Sequence, residues 1–145
     1  MKNYKGFYKE AKGNLPRIYC DMDGVLTDFV KAASKATGQN WEGMRHGQDW
    51  DSIKNTPNFW SNMPWMRDGK QLWGYIKKHN PHILSASVKN NADPNCKPGK
   101  LRWISSNLKL NNSARINLVN RVQKQDYTMI GNSGKREQAV LIDDY

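Results

Sequence analysis

Two pairs of carboxylates follow apolar, strand-like runs, and the first pair lies near the start of the chain. The run Ile18-Tyr19-Cys20 leads into Asp21 and Asp23, which are followed by a glycine, an apolar pair and a helix start. Alternation along a strand places both side chains on one side, at the carboxyl end where open α/β sheets bind ligands. Carboxylates this close repel each other unless a cation lies between them or one is protonated. The alternative is a turn in which two solvated aspartates flank a glycine.

The second pair closes the chain. Ala139-Val140-Leu141-Ile142 is a buried apolar run that ends in Asp143 and Asp144. Oxygen ligands of this kind are those that Mg²⁺ prefers, although a strand that simply runs into an acidic loop would look the same.

Hydroxyl and ammonium groups follow the other strand-like runs. His82-Ile83-Leu84 leads into Ser85, with Ser87 two residues on and therefore on the same side. Lys124 follows a third run, Arg115 to Asn120. We predict the start of a helix at Lys100, where backbone N–H groups favour an anion.

The segment Asp21-Met22-Asp23-Gly24-Val25-Leu26-Thr27 resembles the first motif of the haloacid dehalogenase superfamily in its phosphatase form. The resemblance implies that Asp21 is the nucleophile that takes the phosphoryl group. It also implies that Asp23 is the acid and base that protonates the leaving oxygen. A carboxylate nucleophile splits a difficult displacement into formation and hydrolysis of an aspartyl-phosphate.

The same resemblance extends to the other strand ends. It implies phosphate binding by Ser85 and Ala86 at the second motif and by Lys124 at the third, with Lys100 and then Lys135 as rivals of that lysine. At the fourth motif it implies a Mg²⁺ site made by Asp21, the backbone carbonyl of Asp23, Asp143 and Asp144. Asp143 is the surest direct ligand in this expectation, and Asp144 is a ligand or an outer neighbour.

Within the superfamily the chain is most similar to the 5′(3′)-deoxyribonucleotidases and their phage relatives. The matching segments are Asp21 to Val25 with Asp28-Phe29, Phe59-Trp60 ahead of Pro64, Lys100-Leu101-Arg102-Trp103, and Leu141-Ile142-Asp143-Asp144. Those enzymes usually have Thr at the second motif and a shorter loop before the helix at Lys100. The resemblance implies a Mg²⁺-dependent nucleotidase that acts on nucleoside monophosphates.

The elements that must position these residues are strands and helices in alternation. We predict strands at 17–23, 82–87, 115–120 and 139–142. Helices are expected from Thr27 or Asp28 to about Thr37 with Gly38 as the stop, from Asp68 to His79, and from Lys100 towards Leu108, with Leu101, Ile104 and Leu108 facing the core. The resemblance implies a three-layer, Rossmann-like α/β fold with a short parallel sheet in the order third, second, first, fourth strand. Superfamily members continue with a fifth strand, which we expect to be absent here.

Residues 1–14 are polar and lysine-rich, which predicts a flexible arm ahead of a hydrolase domain at 15–145. From about 39 to 68 the pattern loses its period and fills with large rings, which suits a small cap. These rings could stack a nucleobase, or they could form the small core of the cap, which we favour for most of them. Residues proposed for the substrate pocket are Phe29, Trp60, Trp65 and Ser87.

The bulk composition sets broad limits on partners. The chain has 145 residues with 23 basic and 13 acidic side chains, a net charge of +10. This charge favours an anionic partner: we expect a nucleotide, while a polynucleotide stays possible but is not favoured. Two cysteines make no disulfide framework, and no apolar segment suggests a signal or a membrane span. We therefore expect a cytoplasmic protein, in the host cytoplasm if phage-encoded.

The rival functions are a polynucleotide end phosphatase, a phosphosugar or other metabolite phosphatase, and a non-catalytic nucleic-acid-binding protein on the same fold.

Overall fold

The computed structural model describes residues 16–44, 48–89, 92–129 and 139–144. Over these ranges the chain is a mixed α/β fold around one four-stranded parallel sheet in the order β3-β2-β1-β4, which confirms the predicted strand order. The strands are β1 (Arg17–Cys20), β2 (His82–Ala86), β3 (Ile116–Val119) and β4 (Ala139–Ile142). Because all the pairings are parallel, the four carboxyl ends lie along one edge of the sheet.

Five α-helices appear in the described ranges. They are α1 (Phe29–Thr37), α2 (Trp50–Asn55), α3 (Gly69–Ile76), α4 (Cys96–Trp103) and α5 (Lys124–Met129). Short 3₁₀ turns at Trp41–Gly43, Lys77–His79, Ser113–Arg115 and Arg121–Gln123 and a wider π-helical turn at Ile104–Leu108 complete the connections. No described helix combines the length and the apolar character that crossing a membrane requires.

Helix α1 begins and ends as its sequence predicts. The Asp28 side chain accepts a hydrogen bond from the Lys31 N–H at 3.0 Å, so this residue, and not Thr27, caps the helix. Gly38 ends it in the left-handed conformation with φ 69°. The short connection from Asp21 to Asp28 therefore joins β1 to α1 directly beside the candidate site.

Helix α4 begins earlier than predicted. It starts at Cys96, so Lys100 lies in its second turn, and the prediction that Lys100 stands at a helix start is wrong. Pro98 falls in the first turn, where its missing N–H would have had no helical partner, and so it does not delay the helix. An anion near Lys100 would therefore be bound by the ammonium of this side chain and not by the N-terminus of the helix.

The buried face of α4 also differs from the predicted one. Leu101 is 45% exposed, whereas Lys100 is fully buried between Cys96 and Trp103 on the core face. Ile104 and Leu108 are buried, as predicted. The spacing of Cys96 and Trp103, seven residues apart, defines the stripe that takes Lys100 inward.

The aromatic segment between α1 and α3 forms part of the core. Trp41, Phe59 and Trp60 are each at most 6% exposed and belong to one apolar cluster that also includes residues from the strands. Phe29 packs against these three rings, with ring centroids 5.6 to 5.9 Å apart, and also against the more exposed Trp50 at 6.0 Å. The preference for a packed cap core over a row of stacking platforms is confirmed for these rings. The predicted arm at 1–14 lies outside the described residues.

Candidate active site

The connection after β1 places Asp21 and Asp23 at the carboxyl edge of the sheet. Asp21 donates its backbone N–H to the Ile142 carbonyl at 3.0 Å, which continues the pairing of β1 with β4. The Met22 carbonyl then accepts three successive N–H groups, from residues 25 to 27, at 2.8 to 3.0 Å. Gly24 turns the chain with φ 83°, a conformation that L side chains rarely adopt. The two carboxylates are thereby held on a tight, hydrogen-bonded turn.

Asp21 lies against Lys124 and Asp143. The Lys124 Nζ is 3.0 Å from one Asp21 carboxylate oxygen and 3.3 Å from an oxygen of Asp143. The other oxygen of Asp21 accepts the Met22 N–H at 2.8 Å. Asp21 is 6% exposed, so one ammonium contacts two carboxylates in a largely dry pocket and balances the charge of only one of them. The predicted convergence of the ends of β1, β4 and the segment after β3 is confirmed by these contacts.

Three carboxylates form a group that could hold a metal ion. One oxygen each from Asp21, Asp143 and Asp144 lies within 4.8 Å of the others. Gly24 makes room for the third, because a Cβ at that position would collide with the Asp144 carboxylate. Hard oxygen donors from two strand ends fit a divalent cation such as Mg²⁺, which commonly keeps several waters. The Asp23 side chain is not a member of this group, so among these ligands its predicted contribution is limited to the backbone carbonyl.

The charges in this group perturb one another. Burial raises the pKa of Asp21 to about 7, and Lys124 only partly offsets this effect. Burial alone would raise the pKa of Asp143, but hydrogen bonds from Asp144 and Asp21 and the charge of Lys124 lower it to about 2. The hydrogen bond to Asp143, together with burial, raises the pKa of Asp144. Asp21 and Asp144 therefore bind protons more readily than an ordinary aspartate does, and a metal ion at these carboxylates would compete with those protons.

Cys20 lies directly beneath this cluster but contributes no reactive thiolate. Burial, with the charges of Asp21 and Asp143, raises the pKa of Cys20 to about 12. Its thiol is fully buried and donates to the Asp21 carbonyl at 3.4 Å. Cys20 thus serves as a small apolar core residue, as predicted.

Lys100 organises the second half of the site. Its Nζ donates to Asp23 Oδ2 at 2.8 Å, to Ser85 Oγ at 2.9 Å and to the Ala86 carbonyl at 2.7 Å. These three acceptors use all three N–H groups of the ammonium. Because Ser85 accepts from Lys100, the Ser85 hydroxyl proton is available for another acceptor at the carboxyl edge of the sheet.

Asp23 has a second partner that the sequence analysis missed. The Thr27 hydroxyl donates to Asp23 Oδ1 at 3.0 Å, so each oxygen of this carboxylate accepts one hydrogen bond. With 31% of the side chain exposed, Asp23 is the more accessible of the two aspartates. The sequence analysis gives Thr27 as the end of the first motif and as a possible helix cap, and its position four residues after Asp23 in a tight turn is a usable signal for the hydrogen bond.

Asp93 is a further buried polar residue that the sequence did not reveal. It is 7% exposed and accepts the Trp60 indole N–H at 2.8 Å and the Asn95 N–H at 2.9 Å. The Lys100 Nζ lies 5.4 Å from the centroid of the same indole. Asp93 stands in a polar loop among Asn, Pro and Lys, where its type and spacing carry no signal.

The residues predicted for a substrate pocket do not gather into one pocket. Phe29 and Trp60 stack on each other, with centroids 5.7 Å apart, and Trp60 is 3% exposed. Trp65 instead packs on Trp103 at 4.8 Å, and the Ser87 hydroxyl donates to the Val119 carbonyl at 3.4 Å. Of the rival lysines, Lys100 and Lys124 both reach the carboxylates, and Lys135 lies outside the described residues. In this arrangement the ring of Trp60 is covered and is not a free platform for a base.

Comparison of the chain with protein-family models and with curated proteins finds no match among either. The site must therefore be interpreted from its own chemistry. Four carboxylates, the buried Lys100 ammonium, the partly buried Lys124 ammonium and one serine hydroxyl converge at one sheet edge.

Proposed function

We propose that this chain is a Mg²⁺-dependent phosphate monoester hydrolase of the haloacid dehalogenase type, with a nucleoside monophosphate as substrate. The observation that carries the proposal is the pairing of each aspartate of the first motif with its own lysine. Asp21 lies 3.0 Å from Lys124, and Asp23 lies 2.8 Å from Lys100. Cations placed beside both carboxylates allow a dianionic phosphate to approach groups that would otherwise repel it.

In this proposal Asp21 attacks phosphorus, the ester bond to the leaving oxygen breaks, and an aspartyl-phosphate forms. Asp23 gives a proton to the leaving oxygen and later takes one from the water that hydrolyses the intermediate. The hydrogen bonds from Lys100 and Thr27 fix the orientation of Asp23 for both transfers. Hydrolysis returns Asp21 as a carboxylate and releases inorganic phosphate.

The phosphoryl oxygens would be held by this chain's own donors. Ser85 has a hydroxyl proton to give, because its oxygen already accepts from Lys100. Lys124 contacts Asp21 and Asp143 with two of its ammonium N–H groups, which leaves the third N–H for a phosphoryl oxygen. Asp21, Asp143 and Asp144 would hold Mg²⁺, which supplies charge neutralisation for the phosphoryl group when bound.

The proposal is tested by phosphate release from ribo- and deoxyribonucleoside monophosphates and from a sugar phosphate. We expect turnover of mononucleotides with Mg²⁺, none with chelator, and a loss of at least 10³-fold in Asp21→Asn, since the nucleophile has no substitute. Asp51→Asn, a change at an exposed aspartate of α2, is the matched control. Absence of turnover by folded wild-type protein with Mg²⁺, or equal activity of Asp21→Asn, would contradict the proposal.

A further inference from the structure

A polar cavity of about 220 Å³ lies at the seam between the aromatic segment and α4. Residues 53–61 form one wall, and Asp93, Asn95, Gly99 and Arg102 form the other. None of the proposed catalytic or metal-binding residues lines it. Trp60 does, and the ring of Trp60 also faces the Lys100 ammonium, so the cavity lies one side chain away from the candidate active site.

Two of the cavity-lining residues are cations that have no carboxylate partner among the described residues. Lys54 and Arg102 both line it, both are exposed, and neither forms an ion pair with a carboxylate among the described residues. The one acid in the wall, Asp93, already accepts from Trp60 and Asn95. Two unpaired cations therefore face a space that the protein does not fill, which favours an anionic ligand.

The uncharged lining narrows the class of anion. Asn55, Asn58 and Asn95 supply side-chain amides, whereas the Thr56 and Ser61 hydroxyls donate to the Ser52 and Asn58 carbonyls of the same segment. Asn58 holds a left-handed backbone conformation with φ 56°, which Asn adopts more readily than most other residues. Side-chain amides, Arg and Lys are among the groups that bind the phosphates and sugars of nucleic acid backbones.

A second groove shares one lining residue with the cavity. Arg102 lines a second, more open groove of about 620 Å³ along α4 and the edge strand β3, where Lys97 adds another cation. Leu101, Leu110, Ile116 and Leu118 also line this groove, so its cationic part is limited to Lys97 and Arg102. A polynucleotide is long enough to contact cations in both spaces, whereas a single bound ion fills only the cavity.

We propose that Lys54 and Arg102 bind an internal phosphodiester of a single-stranded polynucleotide, so that a phosphate at the end of that strand reaches the active site. This inference rests on the proposed function and extends its substrates from free nucleotides to polynucleotide ends. Sequence is not read in this mode, because the contacts are to the backbone.

The test compares two double variants with the same loss of charge. Lys54→Gln with Arg102→Gln removes the cavity cations, and Lys77→Gln with Lys78→Gln removes two exposed cations outside the cavity lining. Binding of a labelled oligothymidylate of about 12 nucleotides is measured by anisotropy in chelator over a range of salt. We expect the cavity variant to bind roughly tenfold more weakly and to reduce the salt slope by about 1, and the control to change little.

The kinetic arm separates this inference from the proposed function. With Mg²⁺, the cavity variant should lose about tenfold in kcat/KM on an end-phosphorylated oligonucleotide and keep its kcat/KM on a mononucleotide. Equal losses on both substrates, or equal weakening in the control variant, would overturn the inference while the hydrolase proposal stands. Salt-dependent oligonucleotide binding that needs Lys54 and Arg102, without any turnover by wild type, would instead remove the hydrolase and keep the binding site.

An acidic protein partner is the competing outcome. Polyglutamate of matched length and charge should compete for the oligonucleotide site at least tenfold more weakly than unlabelled oligothymidylate if phosphodiesters are recognised. Equal competition would show that the cavity responds to charge alone and would overturn the assignment. Because Lys54 and Arg102 are exposed, thermal unfolding of both double variants should match wild type, which keeps every comparison interpretable.

Discussion

Asp21 carries a carboxylate in a largely dry pocket, and its protonation affects the stability of the whole fold. Burial raises the pKa of Asp21 to about 7, whereas an aspartate in an unfolded chain titrates near pH 4. Between these values the folded protein binds more protons than the unfolded one, so this residue lowers the free energy of unfolding as pH rises through that window. The ionised form above pH 7 is the form that the proposed chemistry needs.

We therefore predict that Asp21→Asn stabilises the metal-free protein at pH 8. The free energy of unfolding should rise by an amount on the order of a few kcal/mol, because the substitution removes a buried charge. The rise should vanish near pH 4, where the folded protein holds Asp21 in its neutral form and Asn is neutral too. Urea unfolding in chelator at the two pH values measures it. A gain that is the same at both pH values would contradict the assigned pKa, and Asp51→Asn should show no gain at either.

Lys124 contacts carboxylate oxygens for which a bound metal ion would compete. Its ammonium lies 3.0 Å from Asp21 and 3.3 Å from Asp143, two of the three candidate ligands. We predict that Lys124→Met lowers turnover by roughly 10²- to 10³-fold, as expected for loss of a charged donor to the phosphoryl group. Mg²⁺ affinity in calorimetry should be unchanged or higher, since no ammonium then competes for the oxygens. Lower Mg²⁺ affinity in this variant would mean that Lys124 organises the ligands instead of competing with the metal ion.

At the scale of elements, the sequence predicted what depends on local chemistry and strand order. Four apolar runs became parallel strands, and their ends brought Asp21, Ser85, Lys124 and Asp143 to one edge, because parallel strands share an orientation. Lys100 was misplaced, since the start of α4 depends on a proline that the first turn of a helix tolerates. The Asn, Pro and Lys residues before Lys100 are typical of a loop, and this composition does not distinguish a loop from the first turn of a helix.

Contacts between distant loops were the other part that the sequence could not supply. The hydrogen bond from the Trp60 indole to Asp93 joins residues 33 positions apart and crosses from the aromatic segment to the loop before α4. Neither residue type nor spacing marks such a pair. The packing of the aromatic segment brings Trp60 and Asp93 together, so this hydrogen bond can be found only in the folded chain.

We predict that this hydrogen bond fixes the aromatic segment to the core. Asp93→Asn and Trp60→Phe should each lower the free energy of unfolding by roughly 1 to 3 kcal/mol, because a buried partner is left unsatisfied. Together they should cost about 1 kcal/mol less than the sum, as expected for residues in contact. Denaturant unfolding measures both effects, and Trp50→Phe, at a ring that is 40% exposed, provides the control that should add to Asp93→Asn independently. Strict additivity for Trp60 would contradict the coupling.

At the scale of the whole molecule, the candidate metal site joins two strands that the sequence separates widely. Asp21 follows β1, and Asp143 and Asp144 follow β4, an edge strand paired only with β1 in the described sheet. A cation held by all three residues would link these strands at their carboxyl ends. An ion that binds the folded chain alone raises its stability in proportion to the logarithm of its concentration.

We predict that Mg²⁺ at about 100 times its Kd raises the stability by roughly 3 kcal/mol, or a Tm increase on the order of 5 to 10 °C for a chain of this size. Because the net charge is +10, any salt screens repulsion within the fold, so the comparison uses NaCl at equal ionic strength. Asp143→Asn should abolish the difference between the two salts, whereas Asp51→Asn should keep it. Equal shifts with both salts in wild type would show that Mg²⁺ acts only by screening. That result would remove the metal site independently of any assay of turnover, because the measurement requires no substrate.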